Sequence, residues 1–96
     1  MEEAILTREL FEGLVRRILE ANNFHISPDD KEGDRGFDFL GKLSGESWAI
    51  EVKYYRTARV KPSLIESAAA RVINNGIGSQ ADRGMLVVSS FLPDDI

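Results

Sequence analysis

The sequence contains no cysteine and one histidine, His25. Without thiols there is neither a disulfide framework nor a thiolate metal site, and a reducing compartment is the natural expectation. One imidazole cannot build a histidine-rich metal centre. No run of about 18 apolar residues occurs, and the acidic start at Glu2 and Glu3 lacks the basic and apolar regions of a signal peptide. A soluble, cytoplasmic protein is therefore expected. Internal repeats, low-complexity tracts and linkers are also missing, so the 96 residues, 43% of them hydrophobic, read as one domain over 1–96 with a single core. Positive charge is in deficit: a formal net charge of −4 argues against a protein held on nucleic acid by bulk charge.

The charges that are present are segregated. Acids gather at Glu2 and Glu3, at Asp29, Asp30 and Glu32, and at Asp94 and Asp95, whereas Lys53, Arg56, Arg59 and Lys61 form a basic segment without an acid. That segment is either a solvated helix entry or a contact for an anionic partner.

From Thr7 to Asn22 the apolar residues Leu10, Phe11, Leu14, Val15, Ile18 and Leu19 recur at three and four, which predicts an amphipathic helix with Thr7 as N-cap. Its apolar stripe is centred between Leu10 and Val15, with Glu9 opposite in water and Glu12 on the flank, within reach of a half-buried cleft. Phe24-His25-Ile26 predicts a short edge strand. Phe37–Leu43 and Ser47–Tyr55 predict two strands joined by a Ser44-Gly45-Glu46 hairpin connection. Alternation then puts Trp48, Ile50, Val52 and Tyr54 on one face and Ala49, Glu51, Lys53 and Tyr55 on the other. Asp38, between Phe37 and Phe39, faces away from both and can meet Glu51 across the pair.

Pro62-Ser63-Leu64-Ile65-Glu66 predicts a second helix whose Ser63 and Glu66 have capping-box spacing; Ile65, Ala68, Ala69, Val72 and Ile73 give it a narrow, alanine-rich face, and Asn74-Asn75-Gly76 stops it. The run Met85–Val88 predicts a strand buried on both faces, reached by a right-handed crossover and parallel to the Trp48–Tyr55 strand or its neighbour. The order is αβββαβ, an α/β fold with a mixed sheet flanked by helices. The chain stops at Phe91-Leu92-Pro93-Asp94-Asp95-Ile96, where a loop ending in acids would ordinarily start another helix. Either the chain is part of a longer protein that lacks a C-terminal helix here, or a partner subunit covers a sheet face.

Two carboxylates held close on a strand pair raise each other's pKa, and burial raises both. A divalent cation removes that conflict, and hard oxygen ligands suit magnesium or manganese, completed by waters and substrate phosphate oxygens. Asp38 and Glu51 are the candidate ligands and Glu12 a third, through water. Lys53 beside them can position or help deprotonate an attacking water and stabilise a phosphorane-like transition state. The chemistry implied is phosphodiester hydrolysis; the plain alternative is a surface ion pair in which Lys53 neutralises Glu51 and Asp38. Elsewhere His25 reads as a strand end or solvent-facing, Trp48 and the phenylalanines as core, Tyr55 as the tyrosine able to reach substrate, and Gly76 and Gly78 as no phosphate loop, since no strand precedes them.

These residues resemble the PD-(D/E)XK nuclease superfamily, in its restriction-endonuclease-like, Mrr-related group. Asp38 in GFDFLG matches the family's metal-binding aspartate, Glu51 and Lys53 in AIEVKYY match its acidic residue and lysine, and Glu12 in LFEGLVRRIL matches a first-helix glutamate. The resemblance runs from Leu6 to Phe91. No proline precedes Asp38, and the chain ends before the helix that usually follows the Ser90 position. Glu66 lies near a helix position where relatives often carry glutamine, although capping explains it more simply. The resemblance implies a Mg2+-dependent DNA endonuclease, with Mn2+ substituting, in which Asp38, Glu51 and Lys53 are catalytic. Arg56, Arg59 and Lys61 would then contact the DNA backbone. A homodimer is expected on geometric grounds, because cutting two strands needs two sites, and a fused or partner domain would supply targeting. The alternatives are a catalytically silent nuclease-like fold acting as a nucleic-acid-binding or assembly module, and a junction-resolving or RNA-cleaving enzyme of the same chemistry.

Overall fold

The computed structural model describes residues 7–27, 37–57, 59–77 and 81–90. Helix α1 spans Arg8–Ala21, strands β1, β2 and β3 span His25–Ile26, Phe39–Leu43 and Glu46–Lys53, helix α2 spans Pro62–Asn75, and strand β4 spans Arg83–Val88. This is the expected αβββαβ order. The strands form one sheet in the order β1-β2-β3-β4, antiparallel at its first two pairings and parallel between β3 and β4, with α2 as the crossover. Among the described residues no helix is long and apolar enough to cross a membrane.

Thr7 caps α1 as its chemistry predicts: its hydroxyl oxygen accepts a hydrogen bond from the Leu10 N–H at 3.2 Å. The apolar stripe is wider than the surface that the sheet covers. Val15 and Leu19 are buried, but Leu10, Leu14 and Ile18 remain 60%, 48% and 52% exposed. The contact row is thus centred on Val15, one step round the helix from the expected centre, because a single helix laid on a sheet buries little more than one row. Glu9 is exposed and Glu12 half-buried, as expected.

The β2–β3 hairpin turns through Ser44 and Gly45 alone, both at positive φ (51° and 84°), as a type I′ turn requires. Glu46 already pairs with Leu43, so the connection is two residues rather than three. The register that follows pairs Phe39 with Ile50 and Leu40 with Ala49. The Asp38 N–H donates to the Ile50 carbonyl at 2.9 Å, which carries the ladder one residue beyond β2 and sets Asp38 across from Glu51.

The expected single core is two clusters, one on each face. Val15, Leu19, Phe24, Phe39, Ile50 and Val52 form the α1 side; Phe37, Ala49, Val72 and Ala81 form the α2 side. Phe37 and Phe39 therefore lie on opposite faces, contrary to simple alternation, because Phe37 precedes the strand and its backbone is not extended with it. Asp38 still meets Glu51, through register rather than through the shared facing of the two phenylalanines.

Two further expectations change. Helix α2 starts at Pro62, with Lys61 in the cap position and no side-chain cap, so Ser63 lies inside the helix and the Ser63–Glu66 capping box does not form. Proline has no N–H to satisfy and holds the preceding residue extended, here at φ −57°, ψ 133°, which makes a side-chain cap dispensable. Strand β4 is parallel to β3 as expected, but it lies at the edge of the described sheet and is half-buried throughout its apolar run, not buried on both faces.

Gly76 ends α2 with a right-handed backbone, so its value lies in space rather than in positive φ. A Cβ there would come 2.5 Å from the Ala49 Cβ and 2.8 Å from the Val72 carbonyl oxygen. Gly76→Ala should therefore cost about 1–3 kcal/mol by overpacking. At Gly13, in the middle of α1, an added Cβ would meet nothing within 4 Å, and the opposite sign is expected: Gly13→Ala gains about 1 kcal/mol of helix propensity. Urea unfolding of the two variants beside wild type checks both signs.

Candidate active site

Strand β3 delivers the chemistry at its C-terminal end. Glu51 and Lys53, two residues apart, project to the α2 face, and Glu51 is only 4% exposed, the one charged residue among the buried groups described. The Lys53 Nζ stands 3.5 Å from Glu51 Oε2. Asp38 is anchored by its own neighbour across the ladder: the Val52 N–H donates to Asp38 Oδ2 at 2.7 Å. The strand end is tied to β4 through Ser89, whose hydroxyl accepts from the Tyr55 N–H at 2.6 Å and donates to the Tyr55 carbonyl at 3.1 Å.

Burial pushes the Glu51 carboxyl up to about 7, helped by its hydrogen bond with Asp38 and by the Asp38 charge; Lys53 works against the rise without cancelling it. Near neutrality Glu51 is thus only partly ionised beside Asp38. Tyr55 is also raised, first by burial and then by the Glu51 charge, which places its phenol on the Glu51 side. Tyr54 turns the other way and stacks at 5.8 Å, tilted, on Phe11 of α1. The facing expected for the two tyrosines is the one found.

Glu12 is half-buried, but its carboxylate is engaged by the Arg8 guanidinium of the same helix at 3.1 Å. Glu12 in turn raises the Arg8 pKa, to which Asp38 adds a smaller electrostatic contribution. Among the described residues no three His, Cys, Asp or Glu side chains gather as a metal cluster, and Glu12 does not join Asp38 and Glu51 directly. Arg56, Arg59 and Lys61 are exposed along the segment between β3 and α2, where the Thr57 hydroxyl donates to the Arg59 carbonyl at 3.0 Å. His25 is exposed on the edge strand, and Trp48 packs edge-on against Phe24 at 5.7 Å, as a core aromatic does.

A cleft of about 240 Å³ opens between the end of β3 and the first turns of α2, lined by Lys53, Tyr55, Leu64, Ser67, Ala68 and Arg71. Neither Ser67 nor Arg71 stands out in the sequence as a site residue. The signal that could have found them is the spacing of 64, 67, 68 and 71, one row of α2, on the same side as the lysine-bearing face of β3.

The residues present fit a hard divalent cation. A buried carboxyl that resists ionisation faces a second carboxylate, which is the conflict that a bound cation relieves, and the adjoining cleft is basic rather than acidic. Glu51 also makes a pH prediction without any metal. Its folded pKa lies above its unfolded value of 4.5, so the unfolded state releases the proton first and stability falls as pH rises from about 4.5 through about 7. At pH well above 7 that cost is on the order of 3 kcal/mol. With chelator present, Glu51→Gln should therefore raise the melting temperature at pH 8 by several degrees and leave it nearly unchanged at pH 4, where wild-type Glu51 is already neutral. Thermal melts across this range check it; a gain of the same size at both pH values would contradict the assignment.

A family model described as “Restriction endonuclease”, Mrr_cat, matches residues 5–95. The chain matches no curated protein and no solved structure.

Proposed function

The chain belongs to the Mrr-type restriction-endonuclease family, and from that premise we propose that it is a metal-dependent endonuclease that hydrolyses phosphodiester bonds in DNA. The observation that carries the proposal is the buried Glu51 facing Asp38 with the Lys53 ammonium 3.5 Å away. Magnesium, or manganese in its place, would be held by Asp38 and Glu51 and would supply charge neutralisation and an acidified water. Glu12 would contribute through water, after release from Arg8.

The chain's own residues do the rest. The Val52 N–H fixes Asp38, leaving its carboxylate oriented along the strand pair. Burial keeps Glu51 dry and raises it to about 7, so a cation beside it would favour its charged form. Lys53, the last residue of β3, holds its ammonium at the mouth of the cleft, where it can orient the attacking water and stabilise charge building on the phosphoryl oxygens. Arg56, Arg59 and Lys61 take the flanking phosphates, and Arg71 and Ser67 line the path toward them. A homodimer provides the second site that cleavage of both strands needs, and a fused or partner domain directs the enzyme to its target.

The test is cleavage of plasmid DNA with manganese by wild type, Asp38→Ala and Lys53→Ala. Each variant should lose roughly 100-fold or more in rate. Equal activity in all three would end the catalytic reading and leave a nuclease-like binding module. Calorimetry with the same metals should show binding that Asp38→Ala abolishes. Replacing Arg56, Arg59 and Lys61 together with alanine should weaken binding for every DNA sequence and reduce the salt slope by up to about 3; a loss confined to one sequence would show base contacts instead.

A further inference from the structure

The outward face of α1 carries features that the active site does not use. Leu10, Leu14 and Ile18 are about half exposed or more, in one continuous row at i, i+4 and i+8. The adjoining row is Glu9, Gly13 and Arg17, all exposed. Gly13 stands in open space, so nothing within the described fold asks for a glycine at the middle of this helix. The helix pairs its other charges within itself, Arg8 with Glu12 at 3.1 Å and Arg16 with Glu20 at 3.8 Å. Glu9 and Arg17 form no ion pair among the described residues: each has Gly13 four positions away, and Glu20, three beyond Arg17, is taken by Arg16.

That row is self-complementary. A two-fold axis through Gly13 maps Glu9 onto Arg17 of a second helix running the other way, four residues to either side of the crossing, twice over. At the crossing itself a glycine lets two backbones approach closely, and the near end of the leucine row beside it, Leu10 and Leu14, then meets its own copy. A parallel pairing would set Glu9 against Glu9, so the charges select the antiparallel one.

We propose that this face of α1 is an interface between two copies of the chain, an antiparallel α1 pair crossing at Gly13, with Leu10 and the near side of Leu14 covered and Glu9 paired to the partner's Arg17. With one helix per copy the contact is small, so association in the roughly micromolar range is expected. The proposal stands on the helix surface and holds whether or not the site cleaves DNA.

The test is sedimentation equilibrium of the full 96-residue chain without DNA or metal. Wild type should fit a monomer–dimer equilibrium. Leu14→Glu should abolish the dimer, and Glu9→Arg and Arg17→Glu should each weaken it roughly tenfold or more by placing like charges together. The double variant Glu9→Arg, Arg17→Glu restores opposite charges and should recover wild-type affinity within about threefold. The substituted positions are all exposed, so unchanged circular dichroism and melting certify the fold of each variant. A wild-type monomer at every concentration would overturn the interface. So would a dimer indifferent to Leu14→Glu, or a double variant no better than the singles; loss of nuclease activity in Asp38→Ala has no bearing on any of these outcomes.

Discussion

A slip of one residue between β2 and β3 would move every side chain of β3 to the opposite face. Glu51 and Lys53 would enter the apolar cluster under α1, and Ile50 and Val52 would be exposed toward α2. The register is therefore the constraint on which both core and site depend, and two independent features fix it. The two-residue turn at Ser44-Gly45 admits one pairing, with Leu43 opposite Glu46. The apolar residues of β3 then match the two faces they meet: Ile50 and Val52 against α1, Ala49 against the closely packed Gly76 and Val72 of α2. Asp38 is brought to Glu51 as a by-product of that match.

What the register creates is electrostatically uncomfortable. Two carboxyls face each other, one almost wholly out of water, and Lys53 offsets only part of the cost at 3.5 Å. A structural ion pair would be better placed at the surface, where water screens it and desolvation costs nothing. Strand ends with an unmet need for positive charge are instead where cations and phosphate-bound substrates bind, and the family to which the chain belongs is one of nucleases. The Val52 N–H to Asp38 bond adds rigidity where the site would otherwise rely on two flexible acids.

Much of this was legible in the sequence because it rests on short-range rules. Thr7 as a cap, the period of α1, a hairpin at Ser44-Gly45 (though one residue shorter than expected) and the alternation of 48–55 are all local, and each is found in the structure. The misreadings share one cause, which is that neighbours distant in sequence set how much of a pattern is used. Leu10, Leu14 and Ile18 have helical period but the sheet reaches only the Val15 row. Phe37 departs from alternation because the strand begins after it. Ser63 has the right spacing for a cap, yet Pro62 already starts the helix. Met85–Val88 reads as doubly buried, although burial depends on what pairs with the outer edge of β4. Ser67 and Arg71 were invisible because a cleft between α2 and β3 exists only once the crossover is closed.

Net charge also looks different once the fold is known. A chain at −4 would repel a polyanion if its charge were spread evenly. Five of its twelve lysines and arginines gather near the site: Lys53 and Arg71 line the cleft, and Arg56, Arg59 and Lys61 follow β3 directly. Glu51, which pairs with Lys53, is raised by its burial to about 7, so it is only partly ionised near neutrality. Positive charge arriving beside Glu51 would lower its pKa and favour the ionised form.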